Sequence, residues 1–196
     1  MDKSNETTNN LNSEKLYHGT PSGIDNTVIT YVKPVYFIKN PPASDNRDTG
    51  GKAETIKVGA PFTVAIGDTG IPALTKESVG DVRKLWRTHQ VHWESIFDEI
   101  GQISLMARRA IESGKPDMLG ELMDHNHAFL QELTVSSPEL DRLVDAARKA
   151  GALGAKMSGG GRGGNMIALV TPDLAETVTR SMQEAGARNV IITKVE

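Results

Sequence analysis

A turn-rich segment near the start of the chain carries side chains suited to acid–base chemistry. HGTPSGIDN at 18–26 holds His18, Ser22 and Asp25, and Glu14 lies four residues before His18. A run rich in β-branched residues follows, so Asp25 is expected at a strand edge beside a partly apolar pocket. There Asp25 is either a general base or a turn-forming residue. On the residues alone, the turn interpretation is favoured.

A second segment, SGGGRGG at 158–164, lies between two predicted strands. Consecutive glycines permit positive φ angles and close approach of the backbone to a ligand, and successive N–H groups can form an anion-binding nest. Arg162 is expected to add positive charge there. The spacing does not match the Walker A pattern, which ends in Lys-Ser or Lys-Thr. The segment is therefore either an anion-binding loop or a flexible hairpin linker.

The histidines give a weaker signal for a metal. Those at 125 and 127 lie two apart in HNH, and residues two apart on a helix do not share a face. His89 and His92, three apart, can share a face, but no third ligand is evident. For HNH, a role in helix packing or at the surface is predicted.

Composition excludes several classes of protein. Among 196 residues, 22 basic and 25 acidic side chains give a net charge of −3, so there is no broad basic field to attract nucleic acid or an anionic membrane. There are no cysteines, hence no disulfide framework and no thiolate site. No apolar run approaches the roughly 20 residues that span a bilayer, and the first residues are too polar for a secretory signal. A cytoplasmic protein without nucleic-acid or membrane partners is predicted.

Local patterns predict an α+β fold. Residues 1–13 read as a disordered tail, 27–39 as a strand broken near Pro34, and 40–51 as a loop. A buried strand is predicted at 62–67. Thr75 is placed to cap a helix that begins near Lys76. Further helices are predicted at about 92–111, 117–133, 139–150 and 173–186, and further strands at 152–157, 165–170 and 189–195.

Taken in order, three segments resemble a known family. HGTPSGIDNTV, VAIGDTGIPALTKESV and the stretch at 120–170 that ends in KMSGGGRGGNMIALV are similar to the second half of mevalonate kinases. That family belongs to a superfamily with galactokinase, homoserine kinase and phosphomevalonate kinase. The resemblance runs from about residue 14 to the C-terminus, apart from the loop at 40–51.

The resemblance implies a fold and an activity. The fold is a ferredoxin-like C-terminal kinase domain with added helices at 61–196, preceded at 14–60 by a remnant of the N-terminal kinase lobe. The activity is transfer of the γ-phosphate of ATP, with Mg²⁺, to the 5-hydroxyl of mevalonate in isoprenoid precursor synthesis. Phosphoryl transfer mainly requires alignment, charge neutralisation and an acceptor for the hydroxyl proton.

The resemblance also implies residue roles. Asp25 corresponds to the catalytic carboxylate that accepts the hydroxyl proton, and Glu14 to a carboxylate associated with Mg²⁺. The remaining positions fall into two groups: substrate-binding residues, which are His18, Ser22 and Thr75, and the phosphate-binding glycine loop, which comprises Ser158, Gly159, Gly160 and Gly161.

One departure from the family affects the expected activity. The Gly/Ser-rich phosphate loop and the early-strand Lys of these kinases are not found in this sequence. The chain alone is therefore expected to turn over mevalonate poorly. The alternatives are one half of a split kinase that needs a partner chain, or a non-catalytic interaction domain. The strand region at 27–38 is expected to leave an open edge that favours a homodimer.

Overall fold

A computed structural model describes residues 34–40, 51–73 and 75–196. The predicted tail at 1–13 and the candidate residues Glu14, His18, Ser22 and Asp25 lie outside the described residues. The chain divides between Lys57 and Val58 into two units, which are described separately.

The described part of the first unit is a β-hairpin. Strand β1 (Val35–Lys39) pairs antiparallel with β2 (Gly51–Thr55), from Val35 opposite Thr55 to Lys39 opposite Gly51. Strand β1 begins directly after Pro34, where a strand break is predicted. The sequence pattern does not predict strand β2, because GKAET has no apolar alternation and forms a strand through pairing with β1.

The second unit contains a four-stranded antiparallel sheet in the order β4-β5-β3-β6. Strand β3 (Phe62–Asp68) is central, and its Ala65 lies opposite Ala168 on one side and Ile192 on the other. The other strands are β4 (Gly154–Ser158), β5 (Asn165–Val170) and β6 (Asn189–Val195). The predicted mixture of helices and sheet is confirmed, and the sheet is antiparallel.

Five helices complete the second unit in the described part of the chain. They are α1 (Thr75–Thr88), α2 (Gln90–Glu112), α3 (Pro116–Glu132), α4 (Pro138–Lys149) and α5 (Ala175–Glu184). Proline occupies the first position of α3 and α4, where its missing N–H costs no helix hydrogen bond. The Ser137 hydroxyl caps α4 by accepting the Leu140 N–H at 3.4 Å. Within the described residues, no helix is both long and apolar enough to span a membrane.

The two faces of the sheet contribute to two hydrophobic clusters. Alternate strand residues, including Ala65, Met166 and Ala168, join the cluster that also contains buried residues of α4 and α5. The opposite face presents Leu169 to buried residues of α2 and α3, such as Ala110 and Leu119. Helices therefore cover both faces of the strand β5.

The outer edge of β4 is covered by side chains instead of another strand. The Ala155 N–H donates to Asp124 Oδ1 on α3 at 2.8 Å, and Arg148 of α4 donates to the Ala155 carbonyl at 2.7 Å. Helix α3 approaches closely because Gly120 and Gly154 lack a Cβ where the two elements meet. A Cβ on Gly120 would meet the backbone at the start of β4, and a Cβ on Gly154 would meet the backbone of α3. These contacts satisfy an edge that would otherwise invite another strand.

We expect Gly120→Ala to lower the free energy of unfolding by about 1–3 kcal/mol, the usual range for overpacking. The added Cβ would meet the carbonyl group of Leu153, with the carbonyl carbon at 2.5 Å, and backbone cannot move aside as a side chain can. Urea unfolding measures the change. The matched control is Gly101→Ala in α2, whose Cβ meets nothing within 4 Å and which should stabilise the helix by up to about 1 kcal/mol. Equal stability of the two variants would contradict the proposed close contact.

Candidate anion-binding loop

The glycine segment forms a tight connection between β4 and β5 in which most residues adopt positive φ angles. Glycine tolerates this region, whereas a side chain is strained there. The φ angles are +87° at Gly159, +78° at Gly161, +56° at Arg162, +139° at Gly163 and +72° at Gly164. This accounts for the glycine content of the segment in terms of backbone conformation.

Three successive N–H groups at the start of this loop are available to a ligand. In the part of the chain that the structure describes, the N–H groups of Gly159, Gly160 and Gly161 have no hydrogen-bond acceptor. In contrast, the Arg162 N–H donates to the Val135 carbonyl at 2.9 Å. Positive φ at Gly159 and Gly161 with Gly160 outside that region is the kind of alternation that forms anion-binding nests.

Thr75 and Gly160, both predicted as site residues, are in direct contact. A Cβ on Gly160 would meet the Thr75 hydroxyl oxygen and would lie 2.9 Å from the Thr75 Cβ. Thr75 is the first residue of α1 and is half-buried. The start of α1 therefore lies beside the unpartnered N–H groups, which puts a hydroxyl next to the candidate anion site.

Two turns hold the loop from opposite ends. A Cβ on Gly161 would meet the Val135 carbonyl, in the turn between α3 and α4. At the other end the Gly164 N–H donates to the Ile71 carbonyl at 2.7 Å, and the Thr69 hydroxyl donates to the Gly164 carbonyl at 2.8 Å. These contacts argue for a fixed loop and against the flexible-linker interpretation.

The sequence predicts that Arg162 adds positive charge at the loop, but its guanidinium is paired with Asp81 instead. Its guanidinium Nη1 lies 2.6 Å from Asp81 Oδ2, and its Nε donates to the Thr134 carbonyl at 3.3 Å. The hydrogen bond from Arg162, followed by the interaction with Lys84, lowers the pKa of Asp81. The Arg162 side chain therefore joins the loop to α1 through Asp81 and to the turn between α3 and α4 through Thr134.

The histidines of HNH differ in their surroundings. His125 is exposed, whereas His127 is buried and its Nδ1 accepts the Met157 N–H at 3.3 Å. His127 thus takes the helix-packing role predicted for this motif. Among the described residues, no group of three or more His, Cys, Asp or Glu side chains is arranged to hold a metal ion. The predicted metal ligand Glu14, together with His18, Ser22 and Asp25, lies outside the described residues, so these four roles stay predictions.

A family model identifies the class of protein. Residues 107–188, which include α3, α4 and the glycine loop, match the model described as "GHMP kinases C terminal". This part of the chain is a GHMP kinase C-terminal domain.

Several curated relatives of the chain are mevalonate kinases, which confirms the resemblance found in the sequence. The enzyme of Thermococcus sibiricus is 35% identical over 187 residues, covering 93% of this chain and 52% of the relative. That of Pyrococcus horikoshii is 36% identical over 181 residues, covering 88% and 49%. The L. major mevalonate kinase in complex with R-mevalonate has a TM-score of 0.88 at 30% identity, covering 100% of this chain and 59% of that structure. The chain spans about half the length of the curated relatives it matches.

We expect a Cβ at position 160 to displace the loop from α1, and Gly160→Ala should cost about 1–3 kcal/mol of stability. Thr75→Ala removes two of the three Thr75 atoms that this Cβ would meet. The cost of Gly160→Ala should therefore be smaller in the Thr75→Ala background, with a coupling energy of at least about 0.5 kcal/mol. The control, Gly80→Ala in α1, has open space around the added Cβ and should be additive with Thr75→Ala. Additivity of Gly160→Ala with Thr75→Ala would contradict the contact.

Proposed function

We propose that this chain contributes to a kinase that transfers the γ-phosphate of ATP to the 5-hydroxyl of mevalonate, a reaction of isoprenoid precursor synthesis. The observation that carries the proposal is the set of three N–H groups at Gly159, Gly160 and Gly161, which have no acceptor in the described part of the chain and lie beside the Thr75 hydroxyl. The similarity to mevalonate kinases supports the choice of substrate. We also propose a cytoplasmic location, from the sequence features given above.

The proposed fold is ferredoxin-like with added helices. The strand order β4-β5-β3-β6 supports it, because β3, β4, β5 and β6 follow one another in the chain with helices between β3 and β4 and between β5 and β6. Four helices lie between β3 and β4, where a ferredoxin-like fold has one. Because α4 and α5 contribute to the same hydrophobic cluster, α1, α2 and α3 are the added helices. We propose that 61–196 is the C-terminal kinase domain and that 14–60 belongs to the N-terminal lobe.

The loop fits an anionic ligand on chemical grounds. Backbone N–H groups donate only, and three successive ones that have no acceptor among the described residues match the oxygens of a phosphate or a carboxylate. Such donors are most effective when they are already aligned toward developing charge, because no reorganisation is then required during the reaction. The contacts of Gly161 with Val135 and of Gly164 with Ile71 would maintain that alignment.

The other roles in the proposal come from the sequence motifs. Asp25 would accept the proton of the mevalonate hydroxyl, and His18, Ser22 and Thr75 would orient the substrate. Glu14 would be a carboxylate associated with Mg²⁺. When bound, ATP supplies the phosphoryl group and Mg²⁺ neutralises charge on its phosphates.

A mevalonate-dependent ADP-release assay tests the proposed function. The chain is assayed alone and after addition of the N-terminal half of the Thermococcus sibiricus enzyme, which would supply the segment of that relative that this chain does not span. We expect ADP release that requires mevalonate in the mixture, with little from either part alone. Galactose and homoserine serve as control substrates. A stable complex that releases no ADP with mevalonate would favour the non-catalytic interaction domain.

We predict that Asp25→Asn lowers kcat in the active assembly by roughly 10²–10⁴, the usual contribution of a positioned base. The amide keeps the size of the side chain but does not accept the proton, so KM for mevalonate should change little. Asp68→Asn is the control, since Asp68 Oδ1 accepts the Gly70 N–H at 2.8 Å within a turn and should affect stability more than chemistry. A kcat within a few-fold of the parent for Asp25→Asn would show that this carboxylate is not the base.

A further inference from the structure

His127 is a buried titratable side chain that the proposed reaction does not use. It lies on α3 with 1% of its surface exposed. Its Nδ1 accepts the Met157 N–H, and its Nε2 lies 3.2 Å from Asp141 Oδ1 at an angle too poor for a hydrogen bond. The ring therefore touches both β4 and α4.

The contact with Met157 fixes the protonation state of the ring. A backbone N–H only donates, so Nδ1 must be the unprotonated acceptor and the single ring proton sits on Nε2, toward Asp141. Protonation at Nδ1 would put two donors against each other and break this contact. Burial, followed by the positive charges of Arg148 and Lys156, lowers the pKa of His127, while Asp141 acts in the opposite direction.

Met157 is the last buried residue before the glycine loop. Side chains hold both polar backbone groups of Met157 on the outer edge of β4. His127 Nδ1 accepts its N–H, and Lys156 Nζ donates to its carbonyl at 2.7 Å. Burial lowers the pKa of Lys156 to about 8. The Met157 side chain also reaches the loop, because its Cε lies 3.3 Å from the position of a Cβ on Gly161.

Asp141, the neighbour of His127 on α4, contacts the turn between α3 and α4 against which the loop rests. Asp141 Oδ1 accepts a hydrogen bond from the Ser136 hydroxyl, next to Val135. The Val135 carbonyl accepts the Arg162 N–H and packs against Gly161. His127 thus lies between the strand that leads into the loop and the turn against which the loop rests.

We propose that His127 is a positioning residue for the glycine loop, and that the loop keeps its place only while Nδ1 of this buried ring is unprotonated and accepts the Met157 N–H. The charged groups around the ring are Asp141 and Arg148 from α4, Lys156 from β4 and Asp124, which is paired with Arg148 at 2.7 Å, from α3 itself. The expected effect on kcat rests on the proposed function, whereas the effect on the position of the glycine loop does not.

The sign of the stability change follows from the lowered pKa. Below the ordinary pKa of about 6.5, the unfolded chain binds a proton at this histidine that the folded chain excludes. The free energy of unfolding should therefore fall as pH drops below about 6.5 and level off below the folded pKa. Once Nδ1 is protonated in the folded chain, the loop loses its anchor at Met157.

NMR of the full chain between pH 8 and pH 5 tests the proposal without any substrate. We expect the His127 ring nitrogens to report the Nε2–H tautomer at pH 8. The amide signals of Met157, Gly159, Gly160 and Gly161 should shift together with the ring, with one shared apparent pKa below 6.5. Loop amides that stay constant while the ring titrates, or an Nδ1–H tautomer, would overturn the proposal.

Two variants separate positioning from general stability. His127→Asn places an amide oxygen near the position of Nδ1, so it should keep the Met157 contact but remove the shared titration. His125→Asn, on the exposed side of the same helix, should titrate like the parent. Persistence of the loop titration in His127→Asn would contradict the assignment. If His127→Asn does not fold, the ring tautomer and the shared titration measured in the parent protein are sufficient to support or overturn the proposal.

In an active assembly, the parent should lose kcat in parallel with the titration of the His127 ring toward acid pH, and His127→Asn should lose several-fold less over the same range. If His127→Asn only lowered stability, activity would fall at all pH values and the loss of kcat at acid pH would remain. Absence of turnover in every variant would count against the proposed function and would leave the NMR test of His127 intact.

Discussion

The close approach of α3 to the outer edge of β4 determines how the candidate site is built. Gly120 and Gly154 have no Cβ: one on Gly154 would meet the backbone of Gly120, and one on Gly120 would meet the carbonyl group of Leu153, the residue before Gly154. From that contact, Asp124 and His127 follow at helical spacing of four and seven residues, on one face of α3. They meet Ala155 and Met157, which are two residues apart on the strand and so face the same way.

Support of the glycine loop follows from this arrangement. Strand β4 is held along its edge by side chains, so its last residues enter the loop from a fixed position. The Val135 carbonyl, the Thr75 side chain and the Ile71 carbonyl then limit where Gly161, Gly160 and Gly164 lie. The N–H groups of the first three loop glycines remain without acceptors in the described part of the chain.

Local features of the fold were predictable, and long-range ones were not. The helix at Pro138 follows from a Ser-Pro start, and β3 follows from a short apolar run. The contact of Thr75 with Gly160, or the pairing of Arg162 with Asp81, joins segments about 80 residues apart that no local pattern links. The HNH motif marks His127 in the sequence, but its contact is with the backbone N–H of Met157, which no sequence pattern indicates. The roles of Asp25 and Glu14 rest on family resemblance alone.

The central claim is that the three loop N–H groups bind an anionic group of the reactants. Amide chemical shifts of the chain, combined with the N-terminal half of a relative and titrated with 5-phosphomevalonate and with ATP, test it most directly. We predict saturable downfield shifts at Gly159, Gly160 and Gly161, and little change at Gly164, whose N–H already donates to the Ile71 carbonyl. In an assembly that phosphorylates mevalonate, unchanged signals at these three glycines with both ligands would contradict the account.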